Sequence, residues 1–293
     1  MNFILNVFRG ILVGIANIIP GVSGGTMAVI LGIYDKLTES IGDFIPNKQK
    51  RFTYFMFLSA LAIGAAIGVI IFAKIFVFLF ANDFSKQLTF LVFAGLILGA
   101  IPFIIKLHHD MKPNFVKVSL FLFGFLALFI TSIYGGDKNG LVTMNLQVSG
   151  DLFGIFKITP VDFQYGLWLF IMGILSAFAM VLPGFSGSAF LVSLGEYSNI
   201  LHFIDERMII PLIFVALGAI PGVFLSAKLM SMLIKKYPAQ TYYCILGLVT
   251  GSAYQVISGL QSTFEWSIIS ILFSIIAVVA GFVLSFLITK IKH

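Results

Sequence analysis

The stretch IIPGVSGGTMAVILGIYDKL, residues 18–37, contains a break in an otherwise apolar run. Its segment PGVSGGT, residues 20–26, holds one proline, three glycines and two hydroxyl residues. Proline removes a backbone donor and glycine weakens helices, so this segment predicts two helical arms joined by a turn. A polar turn between apolar arms requires a special environment, which the rest of the sequence helps to define.

The overall composition is that of a membrane protein. Of the 293 residues, 59% are apolar and 10% are charged, and the mean hydropathy is +1.07. Soluble proteins are about half apolar and about a quarter charged. Repeated apolar runs of roughly 20 residues match helices that cross a ~30 Å hydrocarbon core, whereas a β-barrel would show short alternating segments. We expect an all-α polytopic membrane protein.

Cysteine and histidine usage argues against a metal site or a cofactor. The single cysteine, Cys244, excludes an intramolecular disulfide and a cysteine-based metal site. The four histidines lack the spacing of metal ligands. The net charge of +6 fits membrane topology and attraction to lipid headgroups, and no segment resembles a nucleic-acid-binding module. We therefore expect no metal, no cofactor and no nucleic-acid partner.

The broken stretch occurs twice in the chain. Residues 10–37 align without a gap with residues 173–200, and 12 of the 28 positions are identical. With small changes of offset, residues 62–74 align with residues 216–228, of which seven of 13 are identical. Such self-similarity indicates an internal duplication. The prediction is one membrane domain, 1–293, with repeat 1 at 1–135, a connecting loop at 136–163 and repeat 2 at 164–293.

Each copy of the broken stretch is followed by three long apolar runs. We expect six transmembrane helices, at 52–80, 88–106, 115–134, 209–233, 240–258 and 266–289. If each broken stretch enters and leaves the membrane on one side, twelve lysines and arginines share one face and four lie on the other. This positive-inside bias favours two re-entrant hairpins, with the loops at 35–51, 106–117 and 234–240 and both termini in the cytoplasm.

An odd number of crossings in each repeat gives the two repeats opposite orientations in the membrane. One hairpin then enters from each side, and we expect the two Pro-Gly-x-Ser-Gly turns to meet near the midplane. Ser23 and Ser186 are natural N-caps for the outgoing half-helices. Free backbone N–H groups at such helix ends hold phosphate or carboxylate, so the sequence predicts an anion site. The simpler interpretation is a proline kink without chemistry.

Several glycine pairs have the Gly-x-x-x-Gly spacing, which is more often a site of close helix packing than of chemistry. We interpret most of these pairs as helix contacts. They are Gly10/Gly14, Gly64/Gly68, Gly95/Gly99, Gly218/Gly222 and Gly247/Gly251.

The two motif copies also resemble a known family. GIANIIPGVSGGTMAVILGIYDKL and MVLPGFSGSAFLVSLGEY are similar to the signatures of the bacterial polyprenyl-phosphate transporter (PopT) family, long known only as a domain of unknown function. The resemblance covers nearly the whole chain. It implies return of undecaprenyl phosphate from the outer to the inner leaflet of the bacterial cytoplasmic membrane, for recycling of the carrier lipid in cell-wall synthesis. The implied partners are this lipid and the surrounding membrane lipids.

The resemblance places the substrate-binding residues in the two motif copies and implies no catalytic residue. In the first copy they are Pro20, Gly21, Ser23, Gly24, Gly25 and Thr26. In the second copy they are Pro183, Gly184, Ser186, Gly187 and Ser188.

Five charged residues are further candidates. Arg9, Lys74 and Lys228 are candidates for attracting phosphate, and Lys74 and Lys228 are equivalent in the repeat. The alternative is that these side chains only reach the lipid headgroups. Asp35 and Glu196 are candidates for proton coupling, with Glu196 favoured, and the alternative is that both are interfacial.

Two other function classes stay open at this point. An anion channel or carrier would use the same turns, and an intramembrane lipid-phosphate enzyme would need an activated nucleophile or base. No histidine or aspartate is placed in the sequence to activate Ser23 or Ser186. Ion current would identify a channel, and release of inorganic phosphate an enzyme. The sequence does not indicate the oligomeric state.

Overall fold

The computed structural model describes residues 2–18, 22–107, 110–134, 148–152, 156–258, 260, 264 and 266–290. These residues form twelve helices and two short strands. The helices of the first half are α1 (Phe3–Ile18), α2 (Gly24–Ile30), α3 (Tyr34–Gly42), α4 (Arg51–Leu79), α5 (Asp83–Lys106) and α6 (Phe115–Tyr134). Those of the second half are α7 (Phe163–Val181), α8 (Gly187–Ser193), α9 (Tyr197–Asp205), α10 (Ile209–Lys236), α11 (Pro238–Ser258) and α12 (Ile268–Lys290).

The strands β1 (Gly150–Leu152) and β2 (Phe156–Ile158) pair antiparallel between α6 and α7. The expectation of an all-α chain was therefore wrong in the connecting loop. Strands of three residues are too short to show the alternation by which a strand is recognised in sequence. The expectation of a loop over 35–51 was also wrong for residues 35–42, which belong to α3.

Long helices lie at all six positions where apolar runs predict transmembrane helices, so the chain is a polytopic, nearly all-helical membrane protein. Within the described part of the chain, five helical segments are long and apolar enough to cross a membrane. They are Arg51–Ala73, Asp83–Lys106, Phe163–Val181, Ile209–Lys236 and Ile268–Ile288. Four of them match predicted transmembrane helices, whereas α6 and α11, also predicted to cross, are not among the five. The third segment corresponds to α7, which the sequence analysis interprets as the entering arm of a hairpin. It has the length of a full crossing.

Glycines set the closest helix contacts, as the Gly-x-x-x-Gly pairs predict. A Cβ atom added at Gly64 of α4 would lie 2.0 Å from the Val7 carbonyl oxygen of α1, and one added at Gly68 would lie 2.3 Å from the Ile11 carbonyl oxygen. Later residues of α1 thus meet later residues of α4, so the two helices are parallel. The chain between them must return to the end at which α1 begins.

The same arrangement occurs in the second half. Gly218 of α10 lies against Phe170 of α7, and Gly222 lies against Ile174 one turn later. Helices α7 and α10 are therefore also parallel, and residues 182–208 return the chain between them. In both halves the broken stretch contains an arm and two short helices, α2 and α3 in the first half and α8 and α9 in the second.

The remaining long helices pair between the halves. Gly95 of α5 lies against Val278 of α12, and Gly99 lies against Phe282, so α5 and α12 are parallel. Helices α6 and α11 are parallel in the same way, because Phe121 and Leu128 of α6 meet Gly247 and Gly251 of α11 in order. Helix α5 also packs on α11 and joins the two pairs. The largest apolar cluster is built around α2, α5 and α11.

Candidate functional site

The start of α2 in the first broken stretch meets the turn at Gly184 in the second, inside the protein. The backbone N–H of Gly184 donates to the Ser23 hydroxyl oxygen at 3.0 Å and to the Thr26 hydroxyl oxygen at 2.7 Å. Gly184 has φ +85°, a conformation that favours glycine. A Cβ atom there would lie 2.7 Å from both the Leu128 side chain and the Leu248 carbonyl oxygen. The turn therefore requires glycine both for its backbone conformation and for space.

The first half-helix, α2, begins as the sequence predicts. Ser23 is its N-cap and accepts a hydrogen bond from the Thr26 N–H at 3.1 Å. The Gly24 N–H donates to Asn17 Oδ1 at 2.8 Å. Two of the N–H groups that the sequence analysis expects to be free for an anion are thus bound to side chains. In this conformation the end of α2 is closed by the protein itself.

Asn17 is a site residue that sequence reasoning missed. It is an exposed polar side chain in the apolar arm α1, three positions before Pro20. Its side chain also fills the space beside Gly24, since a Cβ atom at Gly24 would lie 2.7 Å from the Asn17 amide nitrogen. The one available signal was an amide in an apolar helix, and the second copy offers no support because Met180 occupies the aligned position.

The two motif copies have different environments. Ser23 is 3% exposed and Thr26 is 0% exposed. In the second copy Ser186 is half-buried and Ser188 is exposed, with their hydroxyl oxygens 2.7 Å apart. The polar groups of the first copy are therefore enclosed, whereas those of the second copy reach the surface of the molecule.

The remaining motif residues pack around the meeting point. Gly25 faces the second half, because a Cβ atom there would lie 2.9 Å from the Val181 carbonyl oxygen. Pro183 is buried beside Gly184, and Gly187 is buried against Ser176. Pro20 and Gly21 lie outside the described residues.

Glu196 occupies a polar pocket near the start of α9. Its carboxylate accepts hydrogen bonds from Tyr165 Oη at 3.1 Å, Trp168 Nε1 at 2.9 Å and Asn199 Nδ2 at 3.0 Å. Glu196 is 9% exposed, and the three donors are neutral side chains. The carboxylate is therefore solvated by the protein through hydrogen bonds, and no described ion pair neutralises it.

The other candidate carboxylate, Asp35, has a different setting. Asp35 is exposed at the start of α3, and the Tyr242 hydroxyl donates to its carboxylate, 2.6 Å and 2.7 Å from the two oxygens. Tyr242 belongs to α11, so this contact joins the two halves. The neighbouring Tyr34 also bridges them, by donating its hydroxyl to the Val181 carbonyl oxygen at 3.2 Å.

The two candidate cations whose side chains are described, Arg9 and Lys228, form hydrogen bonds away from the motif residues. Lys228 donates to Asp43, the C-cap of α3, and Lys235 donates to the other oxygen of the same carboxylate at 2.9 Å. These hydrogen bonds hold the pKa of Asp43 below its ordinary value. Arg9 donates to Asn6 at 3.0 Å within α1. Lys74 lies in α4, and its side chain is outside the described residues.

Comparison with known proteins finds relatives that match most of the chain. The chain is 27% identical to the polyprenyl-phosphate transporter of Staphylococcus aureus (strain NCTC 8325 / PS 47) over 96% of this chain and 94% of that protein. It is 26% identical to the polyprenyl-phosphate transporter of Vibrio cholerae serotype O1 (strain ATCC 39315 / El Tor Inaba N16961), over 86% and 77% respectively. No solved structure gives a significant match.

The family profile described as undecaprenyl phosphate translocase-like matches residues 13–271, which include both Pro-Gly-x-Ser-Gly motifs and the parallel helices α7 and α10. This match agrees with the resemblance that the two motif copies indicate. The chain belongs to the undecaprenyl phosphate translocase-like family.

Proposed function

We propose that this protein carries undecaprenyl phosphate, or a related polyprenyl phosphate, from the outer to the inner leaflet of the bacterial cytoplasmic membrane. The lipid would then re-enter cell-wall synthesis as a recycled carrier. The observation that carries the proposal is the hydrogen bonding of the Gly184 N–H to Ser23 and Thr26, because it joins the two polar turns in one place. The names of the two relatives support a polyprenyl phosphate as the substrate.

The proposal includes two repeats of opposite orientation, each with a re-entrant hairpin followed by three transmembrane helices. The parallel pairs support this topology. Helices α4 and α5 are joined by three residues, α5 and α6 by eight, and α10 and α11 by one, and these short connections reverse the direction of the chain. With α1 parallel to α4, α6 parallel to α11 and α7 parallel to α10, the first arm and the second arm then run in opposite directions.

The phosphate group is proposed to bind between the turns. A phosphate accepts hydrogen bonds, so it would replace Ser23 and Thr26 as the acceptor for the Gly184 N–H. The two hydroxyls would then be free to donate to the same phosphate. Ser186 and Ser188 would supply the matching hydroxyls from the second copy. Each hydrogen bond to a charged group contributes about 1.5–3 kcal/mol, so a few suffice to select a phosphate lipid.

The break in each motif copy also supports a phosphate site between the turns, because it places non-helical backbone at membrane depth in the proposed topology. Unpaired backbone groups are tolerated there only when they are buried in protein or line a cavity that water enters. The enclosed first copy matches the first of these two situations, because Ser23 and Thr26 are buried in protein. In the proposed cycle the lipid headgroup moves between the turns while the polyprenyl chain stays in the bilayer.

Proton coupling is proposed to use Glu196. Its three hydrogen-bond donors solvate the ionised form, and protonation would remove an acceptor from this set. Glu196 lies on the second hairpin, between the turn at Gly184 and the end of α9, so a rearrangement there would be transmitted to the turn. Asp35 is exposed and is the weaker candidate.

The test is lipid exchange in vesicles that contain the purified protein and fluorescently labelled undecaprenyl phosphate. We expect the protein to move labelled lipid between leaflets, and Gly184→Leu to abolish this movement while the protein still inserts. Gly150→Leu is the matched control, because nothing lies within 4 Å of a Cβ atom at Gly150. Ion current without lipid movement would contradict the proposal and indicate a channel. Release of inorganic phosphate would contradict it and indicate an enzyme.

A further inference from the structure

The two halves have equivalent elements but make unequal contacts. Helix α3 packs along α10, and α2 contacts α5, α7 and α12. The equivalent contacts would place α9 on α4, and α8 on α11, α1 and α6. Among the described residues these pairs make no comparable contact, and α8 packs mainly on its sequence neighbours α7 and α9. The first hairpin is therefore docked onto the opposite half, whereas the second hairpin is not.

An ion cluster fixes the docked hairpin. Asp43, at the C-terminal end of α3, binds Lys228 and Lys235 of α10. The helices are in close contact there, because a Cβ atom at Gly42 would lie 2.7 Å from the Lys228 Cα atom. The cluster lies where α3 ends and thus closes one end of the interface between the halves.

The sequence contains the equivalent of this ion pair in the other half. Helices α3 and α9 each have nine residues and begin at the aligned residues Tyr34 and Tyr197. Asp43 and Glu206 are their C-caps and lie 163 positions apart, which is the offset of the repeat. Lys228 aligns with Lys74 in the second aligned block. The sequence therefore contains two equivalent acid–lysine pairs. Asp43 and Lys228 form the first, and Glu206 and Lys74 are the residues of the second.

Glu206 has a different partner in this conformation. It forms an ion pair with Lys157 of β2, and the Lys157 backbone N–H donates to the Arg207 carbonyl oxygen at 3.0 Å. Lys157 lowers the pKa of Glu206, so the carboxylate is ionised at neutral pH. Glu206 is therefore charged and held at the strand pair, away from the docked position that Asp43 occupies in the first half.

We infer that Glu206 and Lys74 form an ion pair in a second conformation, in which the second hairpin docks onto α4 and the Asp43–Lys228 pair is broken. In this second state the first hairpin has the undocked conformation and the second hairpin has the docked one. Each hairpin can adopt the contacts of the other because their sequences are equivalent. Lys157 holds Glu206 while the first hairpin is docked. The two ion pairs thus act as alternating gates at opposite ends of the interface between the halves.

Two further contacts follow the same symmetry. The Tyr34 hydroxyl donates to the Val181 carbonyl oxygen, and both residues have counterparts 163 positions away, Tyr197 and Ile18. No hydrogen bond joins Tyr197 to Ile18 in the conformation that the structure describes. Docking of the second hairpin would form this bond at the same time as the Glu206–Lys74 ion pair.

The inference rests on the proposed transporter with inverted repeats, but its test needs no lipid substrate. In a Cys244→Ser background, cysteines at 74 and 206 are treated with a short bifunctional maleimide, and cross-linked protein is measured by mass spectrometry. We expect a cross-link, because the two positions meet in the second conformation. Asp43→Asn should raise the yield of the cross-link about two- to five-fold, because it removes the ion pair that stabilises the first conformation. This range corresponds to the loss of a partly exposed ion pair. Asp83→Asn is the control, an exposed acid at the start of α5.

Charge reversal gives a second readout. Glu206→Lys should slow lipid exchange, and adding Lys74→Glu should restore it, whereas Asp205→Lys beside it should have little effect. Absence of the 74–206 cross-link in a protein that moves lipid would overturn the inference and leave the proposed function intact. Rescue of Glu206→Lys by Lys157→Glu but not by Lys74→Glu would also overturn it. A cross-link that responds to Asp43→Asn in a protein that moves no lipid would support the gates and contradict the function.

Discussion

The backbone N–H of Gly184 donates to the hydroxyl of Ser23, a residue 161 positions earlier in the chain. This hydrogen bond joins two turns that are copies of one sequence. Together with the bond to Thr26, it satisfies a buried backbone donor, and an unpaired backbone group at membrane depth costs several kcal/mol. The contact is therefore both a structural bond and the arrangement that a phosphate would displace.

Replacing Gly184 tests whether this turn is required. Alanine at φ +85° costs about 1–2 kcal/mol from backbone conformation, and the contacts with Leu128 and Leu248 add an overpacking cost of about 1–3 kcal/mol. We expect Gly184→Ala to lower the melting temperature in detergent and to slow lipid exchange at least ten-fold. Gly150→Ala should change neither. Normal exchange in Gly184→Ala would mean that the turn is only a kink.

Replacing the hydroxyls tests the headgroup site itself. Ser23→Ala and Ser186→Ala should each remove a hydrogen bond to phosphate worth about 1.5–3 kcal/mol. That corresponds to about a ten-fold to hundred-fold loss of affinity, measured by binding of a fluorescent polyprenyl phosphate. The double variant should lose more than either single variant, because both turns contribute a donor.

Ser119→Ala is the control for the hydroxyl variants. Ser119 is exposed on α6 and donates to the Phe115 carbonyl oxygen of its own helix. We expect its affinity to be unchanged. If the three site variants bind lipid as tightly as Ser119→Ala does, the phosphate is held elsewhere in the protein.

The repeat in the sequence determines much of the architecture. Aligning residues 10–37 with 173–200 predicts the break in each half and the N-cap at Ser23. The Gly-x-x-x-Gly spacing predicts the close glycine contacts. The six long helices also follow from apolar runs. The opposite orientation of the repeats, which charge asymmetry indicates, stays a prediction.

The unequal environments of the two copies could not be predicted from the sequence. Ser23 and Ser186 have the same local motif, so the sequence gives no reason for one to be buried and the other to be half-buried. That difference accompanies the contacts of α2 with α5, α7 and α12, because α8 makes no comparable contacts with the equivalent helices among the described residues. Helix α3 and the strand pair were missed because nine and three residues are too few for a clear periodicity.

Glu196 offers a test of proton coupling. Glutamine keeps the size of the side chain and an acceptor oxygen but cannot take up a proton, so Glu196→Gln should make lipid exchange independent of an imposed pH gradient. Wild-type protein should respond to the gradient, and Asp35→Asn should behave like wild type. Dependence on the gradient that persists in Glu196→Gln would assign coupling to another group.

Titration of Asp43 does not interfere with the test of proton coupling at Glu196. Lys228 and Lys235 lower the pKa of Asp43. The ion pair therefore contributes fully to the stability of the folded protein above the ordinary aspartate pKa of about 3.9. That contribution is lost only as the pH falls through the lower pKa of the folded state. Between pH 5.5 and 8.5 Asp43 stays ionised. Any change of exchange rate in that range therefore originates in a different group.

Accessibility from the two sides of the membrane tests the orientation of the halves. Single cysteines are placed at Lys112, between α5 and α6, and at Asp205, the last residue of α9, in a Cys244→Ser background. Both positions are exposed, so a membrane-impermeant maleimide can reach them. The charge asymmetry predicts that Lys112→Cys is labelled only from the cytoplasm and Asp205→Cys only from outside. Labelling is repeated after cell lysis as an internal control. A cysteine that is labelled only after lysis is reactive and faces the cytoplasm. Labelling of Asp205→Cys from the cytoplasm would contradict the opposite orientation of the two hairpins, because α9 would then end on the same side as α3.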